Sequence, residues 1–185
     1  MTELILFLIP STVYFLVQGS PKRLGRPRAA RRLGATWGRP RDYVWAAALL
    51  LPLAALGYLA LLLVPAEVLS NPGVTVARAT MVLATLGILL RALGEEVFFR
   101  GLLGGILVRR LGFAVGNLLQ AVIFLLPHAA LLLVDASLWP LLPVQFVAGW
   151  LLGWLRTRSG SFVPGALVHA IANVGAGLVA SAALA

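Results

Sequence analysis

An all-α transmembrane bundle of about six spans is the fold that the sequence predicts, and three observations predict it. Hydrophobic residues make up 61% of the 185 and charged residues only 11%, against roughly 25% charged in soluble domains. The apolar residues fall in runs suited to crossing a bilayer, which takes about 20 helical residues. The basic residues are bunched between those runs, and eight of the fifteen lie between Lys22 and Arg41. A net charge of +9 so distributed points to positive-inside anchoring and contact with anionic lipid, and argues against nucleic acid as a partner. With no cysteine in the chain, a disulfide framework, a thiol nucleophile and a cysteine metal site are excluded.

The elements follow in order. Residues 4–18 form a short first span interrupted by Pro10. It lacks a preceding basic segment and a cleavage site, so it reads as a retained span rather than a signal peptide. Residues 19–42 form the basic loop, rich in Arg, Gly and Pro and without apolar periodicity, expected to be mobile or interfacial. Residues 43–64 are a strong span opened by the interface aromatics Tyr43 and Trp45. Residues 65–77 are a turn-rich loop. Residues 78–108 are helical in pattern but long, roughly 46 Å at 1.5 Å per residue. Such a segment is strongly tilted or breaks near Gly94. Arg109 and Arg110 close it. The next spans are 114–133, containing His128, then 138–155 with Gly149 and Gly153 spaced for close helix packing, then 161–180 containing His169. Residues 1–77 thus supply N-terminal spans and the basic loop, and 78–185 a core. Loop 19–42, Arg109-Arg110 and Arg156/Arg158 share one side if 78–108 crosses once. That gives six crossings with both termini outside and the basic loop in the cytoplasm of a bacterial plasma membrane.

The polar residues inside these spans are the candidates for function. A charge at bilayer depth costs at least ~2.5–3.5 kcal/mol, so it persists where it is paired, hydrated or used. Glu95 and Glu96 are adjacent within 78–108. On a helix Glu96 and Arg100 are i,i+4 in the better orientation for an ion pair. Glu95 turns about 100° away. Its one candidate partner on the same helix is Arg91, in the poorer orientation and lost if the helix breaks at Gly94. Only two histidines exist, His128 and His169, both inside spans; Asn173 shares a helix face with His169. Counted from the basic end of each span, Glu95, His128 and His169 lie roughly 12–21 Å deep, near the midplane. A carboxylate with imidazoles can polarise a water as a general base or across a metal, and an amide and a second imidazole can hydrogen-bond an oxyanion. Two His and a Glu, here Glu95, His128 and His169, could also form an open zinc site. Intramembrane Glu and His also build proton relays, so a small proton-coupled transporter and a catalytically inactive membrane scaffold or immunity protein are the rival classes.

Three motifs in order, Glu-Glu-x-x-x-Arg (Glu95, Glu96, Arg100), Phe-x-x-x-His (Phe124, His128) and His-x-x-x-Asn (His169, Asn173), resemble the CPBP family of CAAX prenyl proteases and bacteriocin-processing intramembrane endopeptidases, also called Abi. Phe99-Arg100-Gly101 and the run from Gly149 through Pro164 to His169 are similar to the family's context, and the resemblance covers about residues 78–178. It implies a four-helix catalytic core with a cavity opening to the cytoplasm and a peptide or protein substrate, lipidated or membrane-delivered. Glu95 with His128 would activate water, His169 and Asn173 would stabilise the oxyanion or help hold a metal, and Glu96 with Arg100 would shape the site. Both a zinc and a metal-free glutamate mechanism are argued for such proteins. Pro127, directly before His128, departs from the family pattern, and a proline there is expected to kink the helix and shift the histidine.

Overall fold

A computed structural model of the chain describes residues 2–69 and 82–182, with side-chain surroundings from residue 4 to 69 and 82 to 179. The loop expected over 65–77 and the start of the 78–108 segment lie largely outside the described residues. Among the described residues every regular element is helical: α1 (Thr2–Gln18), α2 (Arg26–Leu33), α3 (Pro40–Leu62), α4 (Ala66–Leu69), α5 (Val82–Glu95), α6 (Gly105–Ala129), α7 (Leu141–Ser159) and α8 (Val163–Ala182). A π-helical segment, Glu96–Gly104, joins α5 to α6 without interruption, and two short 3₁₀ turns, Ala130–Leu133 and Ala136–Leu138, join α6 to α7. Three helical stretches are long and apolar enough to cross a membrane, Pro40–Leu62, Val82–Leu133 and Ala136–Ser159, with Leu4–Gln18 and Val163–Val179 as shorter apolar helices.

The 52-residue stretch Val82–Leu133 is two legs rather than one rod. At Gly112 the backbone takes φ 77°, ψ 171°, a conformation open to glycine but not to other L-residues. The chain reverses there. Gly116 then lies so close to the backbone of Leu107 and Val108 that a Cβ would not fit, and a Cβ on Gly104 would meet the Gln120 side chain at 3.2 Å. Farther from the turn, Phe99 meets Phe124 edge to face at 5.1 Å. The first leg therefore runs from Val82 to Leu111 without a break at Gly94. In place of a break, the helix widens to π winding immediately after Glu95, a geometry that is rare and concentrated at functional sites.

Helix α7 packs along the returning leg through its two spaced glycines. A Cβ on Gly149 would stand 3.2 Å from Ala121 Cα, and one on Gly153 would collide with the side chains of Asn117 and Gln120. Helix α3 packs against α7 and α8, and α1 against α5 and the π segment. The core joining α3, α7 and α8 is Ala46, Leu53, Leu152, Leu155 and Val168. Many apolar side chains elsewhere face outward, among them Leu51, Leu83, Leu126 and Leu133, as in a bundle whose solvent is hydrocarbon.

The basic loop, expected to be mobile or interfacial, is ordered. Arginines are half of α2, but Ala29 and Leu33 form a buried stripe. The carbonyl of Arg32 accepts hydrogen bonds from Arg109 and Arg156, each at 3.1 Å. Phe162 N–H donates to the Gly34 carbonyl at 3.0 Å, and Ser161 Oγ donates to the Thr36 carbonyl. Asp42, itself buried, caps the start of α3 through the Arg39 N–H at 2.8 Å. Backbone acceptors hold the loop, which is why no apolar period announced it. The basic clusters thus meet at one end of the bundle, and the α2–α3 segment seals that end.

Candidate active site

Glu96 is fully buried and has two partners. Arg100 Nη1 lies 3.0 Å from its Oε1, the expected i,i+4 pair, and both side chains are 0% exposed. His169 Nδ1, arriving from α8, lies 2.9 Å from the same oxygen. A carboxylate only accepts, so Nδ1 carries the proton and Nε2 is turned toward Glu95, whose Oε2 is 3.6 Å away. Pi winding makes this bridge possible. More than 3.6 residues per turn narrows the angle between neighbouring side chains, so two adjacent glutamates reach one imidazole.

Glu95 is 3% exposed and takes a 2.9 Å bond from Arg91 Nε. The pairing that a break at Gly94 would have removed is therefore present, because the helix runs on through Gly94. Arg91 is the site residue the sequence reading undervalued. Its i−4 spacing was visible, but its orientation is poor for exposed helical pairs, and burial of the acid outweighs that preference.

Phe124 ties these groups together. Its ring is fully buried. The Arg100 guanidinium sits 3.9 Å from the ring centroid, and His128 and His169 lie with their ring centroids 4.7 and 6.0 Å away. The phenylalanine of the Phe-x-x-x-His pattern is thus a platform for the arginine as well as a neighbour of its own histidine. His128 Nδ1 lies 2.9 Å from the Phe124 carbonyl oxygen. A carbonyl can only accept, so Nδ1 is the protonated nitrogen and Nε2 keeps its lone pair. Pro127 does not carry His128 out of place. The helix continues to Ala129 and only then tightens into the 3₁₀ turn.

Glu95, His128, His169 and Asn173 all line one cavity of about 660 Å³, together with Arg91, Tyr58 and Gln145. Four of the six sequence-selected residues meet at this surface. Glu96 and Arg100 do not reach it and lie behind it. Apolar residues of α3, α5, α7 and α8 supply most of the wall, including Leu50, Leu53, Ile88 and Val144. A zinc ion would need Glu95, His128 and His169 to converge on one point. Among the described residues no three His, Asp or Glu side chains are grouped in that way. His169 places Nδ1 on Glu96 and His128 places Nδ1 on the Phe124 carbonyl, which leaves both Nε2 atoms, with Glu95 Oε2, as the donors the site offers to a water or a metal.

The family model for type II CAAX prenyl endopeptidase Rce1-like proteins matches residues 77–175, more than half of the chain and all three motifs. The chain belongs to this CAAX protease family. It is accordingly a helical membrane protein and a CAAX-type intramembrane protease in general activity. No curated protein and no solved structure matches it. In this CAAX protease the cavity is walled by the halves of the helices that lie away from the basic end.

Proposed function

We propose that this protease hydrolyses a membrane-delivered peptide with a water activated by Glu95. The observation that carries the reading is the division of labour between two adjacent acids. Glu95 lines the cavity beside His128, whereas Glu96 is buried behind it, committed to Arg100 and His169. Water held between the Glu95 carboxylate and His128 Nε2 loses a proton to Glu95 as its oxygen attacks the scissile carbonyl carbon. The oxyanion so formed accepts hydrogen bonds from the Asn173 amide and from His169 when its Nε2 is protonated. Glu95 then passes its proton to the amide nitrogen, the C–N bond breaks, and the second water proton, left on the new acid, moves to the amine, so that a carboxylate and an ammonium leave. Glu96 positions His169 by holding Nδ1, and Arg100, anchored over Phe124, neutralises Glu96.

The substrate class that fits is a peptide with an apolar or lipidated tail, since the cavity wall is mostly aliphatic and its volume lies within the range that holds a drug-sized group. The basic end, carrying Lys22 to Arg41, Arg109-Arg110 and Arg156/Arg158, is the cytoplasmic one by the positive-inside rule. Purified Glu95→Gln protein, assayed with a quenched prenylated peptide, tests the chemistry. The expected result is a folded protein that no longer cleaves. Undiminished cleavage would overturn the assignment.

A further inference from the structure

A second cavity, of about 120 Å³, lies at the basic end, between the first leg, the returning leg and α7. It shares no lining residue with the cavity at Glu95. Its wall is polar and cationic. The first leg contributes Arg100 and Arg109, the returning leg Asn117 and Gln120, and α7 Arg156 and Thr157. Glycines at 104, 105 and 153 also line it and add no side chain to fill the space. Gln120 is 1% exposed, and among the described residues neither its Nε2 nor its Oε1 has a hydrogen-bond partner. Arg156 Nε is likewise buried and unpartnered, as are Nε and Nη2 of Arg100. Buried polar groups are ordinarily satisfied, by protein or by something bound.

The charges in this wall are unbalanced as well. Arg109 Nη1 and Arg156 Nη2 both donate to one backbone carbonyl, that of Arg32, each at 3.1 Å. Two cations are thereby drawn onto one neutral acceptor. Arg100 has a carboxylate in Glu96, but among the described residues no ion pair reaches Arg109 or Arg156. Water would satisfy Gln120, since the volume is the share of about four waters in the liquid, yet it would leave the two converging charges uncompensated. We infer that this cavity binds a phosphate-type oxyanion, as free hydrogen phosphate or as the phosphomonoester headgroup of an anionic lipid. Guanidinium forks match phosphate oxygens in geometry and in charge. Gln120 Nε2 donates to a further phosphate oxygen, and Oε1 accepts from the P–OH of a singly protonated phosphate. Arg109 and Thr157 are exposed, so the cavity opens at the basic end, where solvent and lipid headgroups both reach it. An anion held there ties the first leg to α7 through the two arginines that share the Arg32 carbonyl. The inference uses none of the peptidase reading.

Purified full-length protein in detergent is equilibrated with radiolabelled inorganic phosphate in one arm. In the other it meets mixed micelles of phosphatidylcholine and radiolabelled phosphatidate. The expected result is saturable binding of one label per chain. Arg156→Gln and Arg109→Gln should each weaken it by about tenfold or more, as loss of one charge-assisted hydrogen bond does. Arg28→Gln, at an exposed position of α2 outside the cavity, should leave it unchanged. Melting curves show which variants are folded, and Arg109→Gln, at an exposed position, keeps the test decisive should Arg156→Gln unfold. Binding of inorganic phosphate alone assigns a free ion; binding of phosphatidate, with or without free phosphate as its competitor, assigns a lipid headgroup. Absence of saturable binding in both arms would overturn the inference. An equal loss in Arg28→Gln would also overturn it, since that is the behaviour of diffuse positive charge rather than of a site.

Discussion

Removing Arg100 should cost more than removing Arg100 and Glu96 together. In Arg100→Met, Glu96 stays fully buried with a negative charge and only His169 to meet it. Breaking a buried pair by deleting one partner costs about 3–5 kcal/mol, because the other charge is left uncompensated. Loss of the guanidinium from above Phe124, 3.9 Å from the ring centroid, adds roughly 0.5–2 kcal/mol. Glu96→Met strands the arginine instead, at a similar 3–5 kcal/mol or so. In the double variant no charge is stranded. What remains is His169 Nδ1 without its acceptor, about 1–3 kcal/mol for one unsatisfied buried group, and the same roughly 0.5–2 kcal/mol for the guanidinium lost from above Phe124. The two single losses therefore sum to well above the double loss, with a coupling of roughly 3 kcal/mol or more, at the top of what contacting residues show. The assay is a double-mutant cycle on reversible unfolding in one detergent at one protein concentration. Losses that add within about 0.5 kcal/mol would refute the reasoning, since that is the behaviour of independent sites.

Other perturbations follow from the same geometry. Gly153→Ala places a Cβ against Asn117 and Gln120 and should destabilise by about 1–3 kcal/mol, as overpacking does; Gly87→Ala, with nothing within 4 Å, should leave the thermal midpoint nearly unchanged. Phe124→Leu removes the ring under Arg100 and beside both histidines. Cleavage should drop along with stability, and the two are read separately by turnover and by melting of the same preparation. Arg91→Met leaves a half-open surface position but frees one Glu95 oxygen. Turnover should fall by about tenfold, the effect of ~1.4 kcal/mol on a barrier, with the melting temperature little moved.

The bundle was legible in the sequence because hydropathy and charge act on it directly. The apolar runs, the reversal beyond Arg109-Arg110 and the Gly149/Gly153 packing stripe all lie where the sequence places them. The convergence of Glu95, His128, His169 and Asn173 on one cavity was suggested by their shared depth, and their helical spacing predicted the Glu96–Arg100 pair. Three features were hidden. The π winding after Glu95 leaves no mark in apolar periodicity. The Arg91–Glu95 bond was undervalued because its strength comes from burial. The seal over the basic end is made mostly with backbone carbonyls, such as those of Arg32, Gly34 and Thr36, which every residue type possesses.

The most direct test of the account is a side-by-side turnover measurement of Glu95→Gln and Glu96→Gln on a quenched prenylated peptide, using protein shown to be folded by its melting curve. General-base catalysis by a positioned side chain contributes about 10²–10⁴-fold. The account predicts that Glu95→Gln loses at least that much from kcat with its melting temperature preserved, whereas Glu96→Gln loses stability as well as activity. Cleavage that survives Glu95→Gln while vanishing in a stably folded Glu96→Gln would contradict it and move the base to the buried acid.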